Sequence, residues 1–130
     1  MSYAAKTVFY FSLYMFVLSL TLLIRPQLLA SLLGYTAESE IWIRLIGMFL
    51  LFLAFDYCVS AWEGITRFFY LTVYTRASII VFMSTFVVLG MLKPIFIPLS
   101  LIDFCGAMWT LHALERARRH RKSALVSKAQ

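Results

Sequence analysis

Four long apolar stretches dominate this sequence and restrict what it can fold into. The first covers residues 7–24, with no charged side chain between Lys6 and Arg25, and the others cover 41–62, 68–92 and 94–114. About twenty apolar residues in a helix cross the ~30 Å hydrocarbon core of a bilayer. The chain is 62% hydrophobic and 14% charged, whereas a soluble domain carries about 25% charged residues. The expected fold is therefore all-α: one polytopic membrane domain of 130 residues, built as an up-down bundle of four transmembrane helices.

The connections are short and well punctuated. The longest, from Arg25 to Glu40, opens with Arg25-Pro26, and proline is tolerated in the first turn of a helix. Residues 26–33 read as a short interfacial helix after the first span, apolar through Leu28, Leu29, Leu32 and Leu33, with Gly34 as its C-terminal cap. Thr36 or Ser39 is the expected cap of the second span, with Glu38 and Glu40 near its positive end. Trp62-Glu63-Gly64 combines an interfacial aromatic anchor with a helix stop. Gly90 closes the third span, Pro94 opens the fourth, and Pro98 introduces a mild kink.

Lysine and arginine bias sets the expected orientation. With four spans, Lys6, Arg67, Arg116, Arg118, Arg119, Arg121, Lys122 and Lys128 share one side, against Arg25, Arg44 and Lys93 on the other. The positive-inside rule then puts both termini in the cytoplasm. The chain is thus expected to be a multi-pass membrane protein. The first span is too long for the apolar region of a cleaved signal peptide. The basic tail over 115–130 continues the fourth helix into water as a topology signal. Its Arg116, Arg118, Arg119, Arg121 and Lys122 also form a docking site for anionic lipid on a sharper reading. Nucleic acid is not an expected partner, since no fold or aromatic interleaving supports it.

Three charges lie inside the spans: Asp56, Arg76 and Asp103. On insertion scales a charge near the bilayer centre costs at least ~2.5–3.5 kcal/mol, so it normally faces the bundle interior with a partner or marks a functional path. Counted from the cytoplasmic side at 1.5 Å per residue, Asp56 lies ~9 Å deep, Arg76 ~13 Å and Asp103 ~18 Å. The arginine falls between the two carboxylates and reaches either. One reading is an ion pair that fixes helix rotation; the other is a polar pocket or proton-responsive site at the carboxylate left over. Around Asp103, residues Ser100, Gly106, Ala107 and Thr110 form a small, polar stripe suited to close helix contact. Gly47, Ala54, Cys58 and Ala61 form a small-residue edge on the second span, and Ser12 and Ser19 mark another on the first.

Arg44-Leu-Ile-Gly47, Phe55-Asp56-Tyr57, Tyr74-Thr75-Arg76 and Asp103-Phe-Cys-Gly-Ala-Met-Trp109-Thr110 follow the Arg25-Pro26…Leu33-Gly34 connection. Together they resemble the small four-helix DoxX-like and BphX-like bacterial membrane proteins, over most of residues 20–115. The resemblance implies a four-helix inner-membrane bundle; members of that group often lack an assigned activity, and some accompany redox or sulfur-metabolism enzymes.

Motifs for chemistry are mostly missing. Cys58 and Cys105 lie in different spans without a Cys-x-x-Cys, which disfavours disulfide exchange. His112 alone lies in a span, so bis-histidine haem ligation within one chain is excluded and a metal cluster lacks ligands. No Ser-His-Asp set, phosphate loop or zinc signature occurs. No catalytic residue, metal or cofactor is expected.

Tyr3, Thr7, Tyr10, Tyr14 and Thr21 recur at helical spacing on the first span. Such a stripe is a helix contact or, on the sharper reading, one wall of an amphipathic pocket with Tyr10, Tyr14, Tyr74 and Thr110 as lining. The leading functional expectation is a non-enzymatic accessory or interaction subunit, with a membrane-protein partner or as a homo-oligomer, tied internally by an Arg76–Asp103 and Asp56 cluster. The alternative is a small transporter or a quinone- or lipid-binding protein that uses the buried carboxylates. Small multidrug transporters carry a glutamate in the first span, and residues 7–24 contain no acid. A membrane enzyme using an aspartate as acid–base group is a third reading.

Overall fold

The structure, a computed structural model, describes residues 1–34 and 40–128. Five helices follow one another: α1 (Tyr3–Ile24), α2 (Pro26–Leu32), α3 (Glu40–Glu63), α4 (Thr66–Val88) and α5 (Phe96–Lys128). All except α2 are long and apolar enough to cross a membrane. This is the all-helical architecture of a multi-pass membrane protein, with the short α2 placed after the first span as the sequence predicts.

Local chemistry explains where the ends differ from expectation. The Ser2 hydroxyl accepts a hydrogen bond from the Ala5 N–H at 3.1 Å, so α1 starts at Tyr3, ahead of the apolar stretch itself. The caps expected at Thr36 or Ser39, with Glu38, lie outside the described residues. Glu40 stands in the first turn of α3 and pairs with Arg44 at 3.9 Å. Gly90 takes a left-handed φ of 74°, a conformation that glycine adopts without steric cost, and α4 accordingly stops at Val88 rather than near 92. Because α5 begins at Phe96, Pro98 falls in its first turn, where a missing N–H costs no intrahelical bond. The expected kink has no cause there. α5 then continues without interruption through the basic residues to Lys128.

Helix pairing follows small side chains. Along α1 the buried residues Ala5, Val8, Ser12, Met15, Ser19 and Leu22 alternate at three- and four-residue steps, the seam of a coiled coil. On α3, Gly47, Ala54 and Ala61 repeat at seven-residue steps, with buried Tyr57 and partly buried Leu50 between them. Two such seams let backbones approach closely, which is how membrane helices gain dispersion energy when lipid supplies no hydrophobic drive. α1 packs most extensively on α3, α4 packs on α5, and α1 joins the two pairs through α5. By contrast α3 and α4, although consecutive, make little close backbone contact. Aromatic rings fill the space between them: Tyr57 meets Phe68 edge-on with centroids 5.3 Å apart.

Polar ties close one end of the bundle. The Arg44 guanidinium donates to the Leu23 carbonyl at 2.6 Å, placing a cation on one of the unpaired carbonyls that end α1. Gln27 on α2 donates to Glu40 on α3, and the Lys93 ammonium donates to the Gly34 carbonyl. Leu28 and Leu32 of α2 face outward.

The α1–α3 seam leaves no room at Gly47. A Cβ there would stand 2.9 Å from the Leu22 Cβ and 3.2 Å from the Ser19 carbonyl oxygen. Gly47→Leu is expected to destabilise the protein by about 1–3 kcal/mol, the cost of overpacking, read as a lower thermal midpoint in detergent. Val59→Leu, on an outward-facing part of α3, is expected to leave the midpoint unchanged.

Candidate functional site

The cation of α4 organises the bundle interior. Arg76 lies ten residues into α4, hence about 15 Å along the helix from Thr66. It is only 2% exposed and is the largest fully buried side chain among the described residues. Its Cζ sits 3.4 Å from the centre of the Phe11 ring, a stacked cation–π contact between α4 and α1. On the third side it rests against α5 at Gly106, where a Cβ would overlap the guanidinium. One side chain thereby locks three helices.

Hydrogen bonding does not balance that burial. None of the guanidinium nitrogens of Arg76 donates to any described residue. Arginine carries five N–H donors and keeps its proton at any ordinary pH. A desolvated cation–π contact is worth about 2 kcal/mol, whereas each buried unsatisfied donor costs about 1–3 kcal/mol and a charged one more. The stacking therefore does not compensate for the missing acceptors.

The expected charge cluster is not assembled. Asp103 is half-buried beside the site and acts on Arg76 through space, but no ion pair joins them among the described residues. Asp56 is exposed on the outer face of α3 among Phe52, Phe55 and Val59, one helical step from the buried Tyr57. The physical reason is angular. The α3 seam through Ala54, Tyr57 and Ala61 faces inward, and a residue next to Tyr57 is turned about 100° away from it. The remaining ion pair among the described residues is the local Arg44–Glu40 contact.

A groove of about 300 Å³ opens beside Arg76, between α1 and α5. Thr7, Tyr10, Phe11 and Tyr14 of α1 form one wall, and Ile102, Gly106 and Trp109 of α5 form the other. Tyr10 and Tyr14, two of the four residues read as pocket lining, border this groove. Tyr74 does not: it is 70% exposed on the outside of α4. Thr110 is fully buried just behind the groove and accepts a hydrogen bond from Thr7 at 3.1 Å, while donating to the Gly106 carbonyl at 3.0 Å. It ties α1 to α5 rather than lining the cavity. At the outer rim the Trp109 indole donates to the Tyr3 hydroxyl at 3.4 Å.

Phe11, Gly106 and Trp109 were not legible as site residues from sequence. A signal for Phe11 existed, since it stands four residues after Thr7 and three before Tyr14 on the same helical face. Farther along α5, His112, Glu115, Arg116 and Arg119 border a second, smaller groove of about 220 Å³. Arg116, Arg118, Arg119, Arg121 and Lys122 are all exposed on the part of α5 that follows the last buried residue, Leu114. No group of three or more histidine, cysteine, aspartate or glutamate residues suited to a metal occurs among the described residues.

The seat of Arg76 yields a direct test. Gly106→Ala is expected to lower the thermal midpoint in detergent by displacing the guanidinium. In an Arg76→Ala background the same substitution should cost far less, giving a coupling of about 0.5–3 kcal/mol in a double-mutant cycle. Additive effects would mean that the two residues do not share that space.

Comparison with family models, curated proteins and solved structures finds no match in any of the three, so the functional argument rests on the geometry of this chain.

Proposed function

We propose that this chain is a multi-pass inner-membrane protein that draws an amphipathic molecule from the bilayer into the Arg76 groove. In this reading the four spans alternate in direction, both termini are cytoplasmic, and the chain is a member of the DoxX-like group it resembles. One observation carries the proposal: a fully buried arginine, with no acceptor among the described residues for any of its nitrogens, borders an aromatic groove between two membrane-spanning helices. Buried cations in membrane spans mark ligand paths or pairs, and here no pair is formed. The groove walls are apolar in bulk with few polar points, the usual makeup of a small-molecule site. Tyr10, Tyr14 and Trp109 each offer an apolar ring with a polar tip. Of the two carboxylates that the alternative reading would use, Asp56 is exposed on α3 away from the groove, and Asp103 is half-buried beside Arg76.

A second reading concerns Asp56. A carboxylate on the outer face of a span is costly in lipid, and the surrounding Phe52, Phe55 and Val59 are exposed as well. We propose that this face meets a transmembrane helix of another protein carrying a lysine or arginine at matching depth. A symmetric dimer through the same face would instead bring carboxylate against carboxylate. The exposed cations of the 116–122 segment fit anionic lipid headgroups at the cytoplasmic surface.

Native mass spectrometry of the protein released from membranes is expected to show one retained apolar molecule per chain. Ile102→Trp, which fills the groove from α5, should abolish that adduct while leaving the fold intact by circular dichroism. Retention undiminished in Ile102→Trp would place the molecule elsewhere. For the outer face, Asp56→Leu is expected to remove a higher-mass complex seen in mild detergent, and Asp56→Glu to preserve it. Survival of the complex in Asp56→Leu would reject the carboxylate as its anchor.

A further inference from the structure

Resting on the reading that the groove takes a ligand from the bilayer, the geometry points to the class of that ligand: a single-chain amphiphile with a carboxylate head, clamped by Arg76. Charge makes the first selection. The guanidinium is permanently cationic, its residue is only 2% exposed, and no oxygen of the described residues accepts from it. A neutral head such as an alcohol, ester or quinone would satisfy donors but leave the buried charge uncancelled. An anionic head does both, and hydrogen bonds between ionised partners are about twice as strong as neutral ones. Asp103 does not fill this role: it is half-buried and acts on the arginine only through space.

Shape makes the second selection. Phe11 stacks on one face of the guanidinium, and the N–H donors lie in the plane of the group. Two coplanar acceptor oxygens match that fork, as a carboxylate presents them. Size and depth make the third. At roughly 30 Å³ per non-hydrogen atom, the share of a water molecule in the liquid, the groove of about 300 Å³ holds about ten such atoms. That accommodates a carboxylate and the first part of one alkyl chain. Arg76 also lies about 15 Å along α4 from its start, deeper than the layer where phospholipid headgroups reside. The open side of the groove lets the rest of a chain continue into the acyl region.

Trp109 supplies the reporter. The full chain carrying Trp42→Phe and Trp62→Phe, reconstituted in lipid nanodiscs, leaves Trp109 as the sole indole. Decanoate is expected to change its fluorescence saturably, and methyl decanoate and decanol, which partition into the bilayer as well, are expected not to. Arg76→Gln should weaken decanoate binding by about tenfold or more, since hydrogen bonds to a charged group are worth about 1.5–3 kcal/mol. Because that variant also changes the packing of the bundle, Asp103→Asn gives a second measure with the arginine in place. Removing the nearby negative charge should tighten decanoate, and an unchanged or weaker affinity would count against the proposal. Stronger binding of decanol, decyl phosphate or a decyl-chain quinone than of decanoate would overturn the carboxylate assignment while leaving the groove as a ligand site. No saturable response to any of these probes in folded protein would overturn the ligand site as well.

Discussion

A permanently charged side chain enclosed among three helices is the constraint on which the rest of this structure turns. Arg76 would be expensive in lipid, so the bundle wraps it. α1 offers the Phe11 ring, α5 withdraws its side chain at Gly106, and α4 carries the arginine on its buried face. These concessions fix the rotation of all three helices about their axes. They also shape the groove, since a larger residue at 106 would overlap the guanidinium. Structure and site therefore have one origin.

Around that point the bundle divides its labour. The α1–α3 pair is closed by two small-residue seams and by the hydrogen bond from Arg44 to the end of α1. It forms a rigid platform with little for a ligand to enter. The α4–α5 pair docks onto it through a narrower contact along α1, where Thr7 and Thr110 bond and Tyr57 holds α3 and α4 apart. On that second seam a groove opens where the rings of Tyr10, Phe11, Tyr14 and Trp109 stand around Gly106.

Much of this was written in the sequence. The spans, the helix after Arg25-Pro26 and the stops at Gly34, Gly64 and Gly90 follow from apolar length and from residues with one local use. The small-residue edges on the first, second and fourth spans were legible because close helix contact admits few side chains. The inward placement of Ser100, Ala107 and Thr110 was legible for the same reason. Depth is a poor guide to pairing: counted along the helices, Asp56 and Arg76 differ by only ~4 Å, but a helical step of about 100° turns Asp56 outward. Depth fixes one coordinate of a side chain, and rotation, set by neighbours distant in sequence, fixes the other. The stacking of Arg76 on Phe11 was hidden because an apolar aromatic carries no mark in sequence that distinguishes a cation's neighbour from ordinary packing.

The central claim is that Arg76 is held by an aromatic ring and a glycine seat, without a carboxylate among the described residues. Solid-state NMR on the protein in liposomes, with labelled arginine, aspartate and phenylalanine, measures this by nitrogen–carbon dipolar couplings. The expected result is a strong contact between the Arg76 guanidinium and the Phe11 ring, with no coupling at salt-bridge distance to the carboxyl carbon of Asp103 or Asp56. A strong guanidinium–carboxyl coupling to either aspartate would contradict it, and would return Arg76 to the role of an internal ion pair.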